Sequence, residues 1–258
     1  MENVKIFDNT GSVFSQRVVF DHQPKTGGTS ISHWLMNSLG PGCVSQHVTG
    51  FHRDIIRSHG GAYSVISGHL MFFGEGLDPR YKYITCLRDP VSRVISWLYF
   101  VLNNHTEEQL PGVYNAVKAF VDSDGDELYE NILLKNQIQN NYVSHFSKIK
   151  RIESNGANES LLSAINNIDE YCYIGFTERM DELAADIGIL LGISDPTIPF
   201  KNITGGSKNA SPKLIKRVEQ MNLMDLEFYN TIRLRQRNMP KKPAGKSRYW
   251  AGFKGYTK

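Results

Sequence analysis

Residues 24–30 read PKTGGTS and lie between the apolar run RVVFD (17–21) and a helical pattern from Thr29 to Leu39. The stretch has little to bury and much to offer an anion. The first turn of a helix leaves backbone N–H groups unpaired and carries the positive end of the helix dipole. Gly27 and Gly28 allow the backbone to come close to a ligand, Lys25 adds a charge, and Thr26, Thr29 and Ser30 add hydroxyls. A phosphate or sulfate is the expected guest. The nucleotide-triphosphatase loop, G-x-x-x-x-G-K-S/T, places its lysine after the glycines. Here Lys25 precedes them, so that motif is not matched. A glycine turn whose hydroxyls merely cap the helix is the plainer alternative.

Two further segments carry chemistry. YKYITCL (81–87) is a β-branched and aromatic run that ends on Arg88, where a planar fork of donors can grip a phosphate. Asp89 and Pro90 then open a helix, PVSRVISWLYFVLNN, which presents the hydroxyl of Ser96 eight residues after Arg88. An ion pair from Arg88 to Asp89 or another acid is the alternative, and Arg93 reads as a solvated charge. SVISGH closes a third apolar run on His69, whose imidazole suits proton abstraction at neutral pH. Most of the eight histidines are expected to be structural.

Taken together, these segments resemble sulfotransferases that use 3′-phosphoadenosine 5′-phosphosulfate, particularly the heparan sulfate 2-O- and 6-O-sulfotransferase group. By that resemblance PKTGGTS is the 5′-phosphosulfate loop, binding through Lys25, Thr26, Gly27, Gly28, Thr29 and Ser30. Arg88 and Ser96 would hold the 3′-phosphate, and His69 would be the catalytic base. Where the 2-O-sulfotransferases have H-G-H, this chain has Ser67 in place of the first histidine. YCYIGFTERMDEL (171–183) resembles the family's V-G-V/F-T-E segment, largely architectural, with Phe176 or Thr177 near the nucleotide. NITGGSKNASP (202–212) stands where a loop closes over adenosine, making Ser207 and Lys208 donor contacts. NQIQNNY (136–142) resembles the acceptor segment N-x-Q-T-R but has Asn140 and Asn141 where Thr and Arg are usual, which counts against a strongly anionic acceptor.

The elements needed to position these residues alternate between strand and helix. Strands are expected at 17–21, at CVSQHV (43–48), at AYSVISGH, at 81–87 and at YCYIGF (171–176), with helices between them and LIKRVEQMNLMDLEFYNTIRLRQR closing the pattern. That order specifies an α/β fold with a P-loop-like central parallel sheet covered by helices on both faces, the sulfotransferase fold by resemblance. Ligands collect at the carboxyl ends of strands in such sheets. One domain over 1–238 and a basic aromatic tail over 239–258 are expected.

Composition adds limits. Residues 233–258 hold nine of the 29 Lys and Arg and no acid, leaving 20 positives against 26 negatives before them. No run approaches the roughly 18 apolar residues of a membrane span, and the first residues lack a secretory pattern. Cys43, Cys86 and Cys172 read as free thiols in a reducing compartment. The cytosol is expected, with an excised catalytic domain of a Golgi-type enzyme as the alternative. The aromatic residues of SWLYF read as core rather than cofactor contacts, with Trp97 a candidate to help shape the acceptor cleft. His47, His52 and His59 lie close in sequence without matching a zinc spacing, and no metal is expected to be required.

The expected reaction is sulfuryl transfer to a hydroxyl, in a carbohydrate or glycoconjugate, with His69 as base and Lys25 stabilising the leaving phosphate. No nucleic-acid partner is expected, and oligomeric state is open. A P-loop-type kinase would need a lysine after the glycines and an acidic magnesium ligand at a strand end. A binding module on the same fold that has lost turnover is the second alternative.

Overall fold

The computed structural model describes residues 17–72, 76–127, 132–148, 157–199 and 210–238. Five parallel strands form one sheet in the order β2-β3-β1-β4-β5. They are β1 (Arg17–Asp21), β2 (Val48–Phe51), β3 (Val65–Met71), β4 (Tyr81–Leu87) and β5 (Tyr173–Phe176). The central strands are buried along nearly their whole length, as expected for strands covered on both sides.

Alternation along each strand divides the core in two. Val18 and Phe20 of β1, Val65 of β3 and Ile84 and Cys86 of β4 face one side. There they meet Ile31, Trp34 and Leu35 of α1 (Gly28–Leu39) and Leu183 and Ile187 of α8 (Met180–Leu191). Val19, Ile66, Tyr83 and Leu87 face the other side, against α2 (His52–His59), α6 (Asn141–Phe146), α7 (Ala157–Ile168) and α10 (Leu223–Asn238). A third cluster joins α3 (Pro90–Asn104), α4 (Val113–Asp122), α5 (Ile132–Ile138) and α9 (Pro212–Met221) beside the sheet.

Two expectations shift. The strand expected at 43–48 begins only at Val48, and Val44 makes a lone bridge to Val65. Before it, Ser45 spends its hydroxyl on the Ser67 N–H, 3.0 Å away. The closing helix breaks at Asn222, which is fully buried and donates to the carbonyls of Ile138 at 2.7 Å and Val218 at 2.8 Å. The tail at 239–258 lies outside the described residues. Among the described residues, no helix is long and apolar enough to cross a membrane.

Candidate active site

The register aligns Asp21 at the end of β1 with Gly68 of β3 and Thr85 of β4. Everything leaving those three strand ends therefore converges on one edge of the sheet. The chain turns from β1 through residues 22–27 into α1. Thr26 holds the turn by donating to the Gln23 carbonyl at 2.8 Å, so its hydroxyl is spent on the loop rather than offered to a ligand. Lys25 (φ 64°) and Gly27 (φ 83°) both adopt left-handed backbone, which a lysine rarely accepts.

Gly28 is required by packing. A Cβ there would lie 1.9 Å from the His22 ring, which tucks beneath the start of α1. The helix N-cap, Gly27, offers no side-chain acceptor, and no acid occupies the first turn. Thr29 is exposed and Ser30 is buried at this end. The arrangement suits an external anion, which would find backbone N–H groups and a positive dipole end.

The two ends of the expected donor site meet. Arg88 donates from NH1 to the Lys25 carbonyl at 3.2 Å. Tyr142 of α6 braces Arg88, accepting from its N–H and donating to its carbonyl, both at 3.0 Å. Among the described residues neither Arg88 nor Lys25 forms an ion pair, so the expected alternative of an Arg88–Asp89 bridge does not occur. Asp89 caps α3 through the Ser92 N–H at 2.8 Å. Burial, followed by repulsion from Arg88, lowers the Lys25 ammonium below its usual value. That ammonium sits over the Phe100 ring, 4.0 Å from its centre. Two neighbouring cations, neither paired with a carboxylate among the described residues, could hold an anion with two charged groups. Ser96 is buried on α3.

Arg93 corrects the sequence reading. It is wholly buried rather than solvated, with NH2 donating to the Gln137 carbonyl at 2.8 Å while Nε and NH1 have no partner. Helix α3 turns this residue inward toward Tyr142 and Asp225. Asp225, also buried, takes the Tyr142 and Val143 N–H groups at 3.0 and 2.9 Å and so starts α6. Burial raises its carboxyl to about 6, against the pull of Arg93 and those N–H groups.

At the end of β3, His69 donates from Nδ1 to the His22 carbonyl. A carbonyl only accepts, so the proton is on Nδ1 and the lone pair is on Nε2. Burial lowers the imidazole below its usual 6.5, partly offset by the His22 carbonyl and Asp21, while His145 lowers it further. Ser67, two residues earlier, is buried and hydrogen bonded to Ser32 of α1 at 2.7 Å. The departure from H-G-H is therefore a packing feature under α1.

Several neighbours left no sequence signal. Asp21, fully buried, receives Tyr171 Oη at 2.7 Å and lies 2.7 Å from His145 Nε2. His22 and His47 stand beside His69, with ring centres 4.6 and 4.4 Å away. Gly68 permits this approach, because a Cβ on it would be 2.0 Å from the Val48 carbonyl. Thr177 ties the loop to the sheet through the Thr26 carbonyl at 2.9 Å, and Phe176 is buried. Glu178 accepts from the Asp89 N–H and Tyr229 Oη, as expected of an architectural segment. Asn140 and Asn141 serve the α5–α6 corner, the first bonded to Asn222 and Asp225, the second to Asn136. Trp97 is half-buried against the α3–α4–α9 cluster. Ser207 and Lys208 lie outside the described residues.

The family model of the sulfotransferase family matches residues 15–230. The chain belongs to the sulfotransferase family. No curated protein sequence matches it. As a sulfotransferase it takes the sulfuryl group from 3′-phosphoadenosine 5′-phosphosulfate, and the kinase alternative is set aside. The uncapped α1 terminus, Lys25 and Arg88 are where this sulfotransferase would hold that donor.

Proposed function

We propose that this sulfotransferase acts on a hydroxyl of a carbohydrate or glycoconjugate, with His69 as general base and Lys25 meeting the charge on the leaving phosphate. The observation that carries the reading is the His69–His22 hydrogen bond, which leaves Nε2 as the basic atom at the strand edge that carries the anion loop. When bound, the donor supplies the sulfuryl group and a phosphate leaving group. His69 Nε2 takes the acceptor hydroxyl proton as the new O–S bond forms. Lys25 and the first N–H groups of α1 stabilise the phosphate oxygen as the old S–O bond breaks. Arg88, held by Tyr142, fixes the 3′-phosphate and so the alignment of the reacting atoms.

The acceptor class rests on the resemblance of the His69 segment to 2-O-sulfotransferases. The Asn140–Asn141 pair, turned to the α5–α6 corner, supports an acceptor of modest charge. Free Cys43, Cys86 and Cys172 support a cytosolic setting. The test is transfer of labelled sulfate from the donor to a panel of sugars, glycans and small alcohols. Adenosine 3′,5′-bisphosphate should raise the thermal midpoint and ATP with magnesium should not. Labelling of phenols or amines but no sugar hydroxyl refutes the acceptor class.

A further inference from the structure

His22, His47 and His69 bring one ring nitrogen each within 4.8 Å of one another. They come from three separate segments: the residue after β1, the residue before β2 and the latter part of β3. We propose that they form a binding site for a divalent transition metal of zinc's type, and that the bound ion silences the enzyme by occupying the His69 lone pair. The second half rests on His69 being the base.

Three observations carry it. First, His22 is 7% exposed and its Nδ1 is buried without a hydrogen-bond partner, an atom that calls for a donor or a cation. Its other nitrogen edge is turned to Gly28, since a Cβ there would lie 2.1 Å from Nε2. Second, His69 already donates Nδ1–H to a backbone carbonyl, the outer contact by which metal-binding histidines are oriented, leaving Nε2 as the ligand atom. Third, the chemistry of three imidazoles matches zinc, cobalt, nickel and copper rather than magnesium or calcium. Burial of His22, the desolvating neighbours of the more open His47 and repulsion among the rings lower both imidazoles, which favours the neutral form that ligates.

Ligand bonds of about 2.0–2.1 Å in a tetrahedron place nitrogens about 3.4 Å apart. The rings must therefore close by no more than about 1.4 Å, and His47, which is exposed, has room to swing. Water would fill the fourth position. No bond in the substrate is made or broken by the ion; a lone pair that accepted a proton instead binds metal.

Cobalt(II) titration of the full chain, read by its absorption spectrum, tests the site directly, and zinc competition gives the affinity. One equivalent with the intense visible bands of a tetrahedral ion is expected. His47→Gln, at an exposed position, should weaken zinc by at least about 100-fold. No binding by the wild-type chain at 100-fold molar excess of metal, or binding unchanged in His47→Gln, overturns the site. Zinc should abolish sulfate transfer in the wild type, and a chelator should restore it. His47→Gln should need about 100-fold more zinc for the same inhibition relative to its own metal-free rate. Zinc binding that leaves transfer unchanged or speeds it overturns the inhibitory half. Failure to bind adenosine 3′,5′-bisphosphate would instead sink the donor reading and leave the cobalt result standing.

Discussion

The donor side and the histidine side of the sheet edge are built by different means. On the donor side one unbroken segment supplies Lys25, both glycines and the start of α1, and a second supplies Arg88 and α3. On the other side His22, His47 and His69 meet only because β1, β2 and β3 align, with Gly68 letting β2 begin against β3. The first is a local device that a short motif can encode. The second exists only once the fold has formed. Binding should therefore fail with single donor-side residues, whereas the chemistry should fail with the histidine side.

The largest effect expected is at His69. His69→Ala should lower kcat by about 10²–10⁴-fold while the affinity for adenosine 3′,5′-bisphosphate stays within about twofold. An equal loss of nucleotide affinity, measured by calorimetry, would merge the two sides into one. Next, Arg88→Ala should weaken the bisphosphate by about 10–100-fold, since a charge-assisted bond is worth about 1.5–3 kcal/mol. Unchanged affinity would remove Arg88 from the donor site.

Gly28→Ala sharpens the boundary, because it sets the helix start against the His22 ring. A loss of about 1–3 kcal/mol in urea unfolding is expected, from the overpacking. A stable variant would mean that the ring has somewhere else to go.

The smallest effect is in pH dependence. The imidazoles of His22 and His69 lie below the usual 6.5, so the base stays deprotonated through that value. The acid limb of kcat/KM should consequently fall only below pH 6.5. Stability behaves alike: below 6.5 the unfolded chain takes protons that buried His22 refuses. Stability should thus drop as pH falls, by up to about 1.4 kcal/mol per pH unit from this residue, until the native ring protonates. A flat profile of unfolding free energy from pH 7 to 5 would remove this contribution.

How much the sequence conveyed follows the same division. The bounds of β1, β4 and α3 were legible, since β-branched runs and an Asp-Pro start are local signals. So were the loop and Arg88. Beyond its surface reach was Arg93, whose burial is decided by where α5 and α6 fold over α3. The break at Asn222 was also hidden, because its partners, Ile138 and Asn140, lie more than 80 residues away. Of the histidines, only His69 had a motif to mark it; His22 and His47 gained meaning through strand register.

An ammonium resting on the π-face of Phe100 has consequences for the catalytic cycle. With no counter-ion to dislodge among the described residues, an incoming donor there meets an aromatic surface and solvent. Departure of the spent nucleotide returns the side chain to that perch, so the protein resets between turnovers without rebuilding an ion pair.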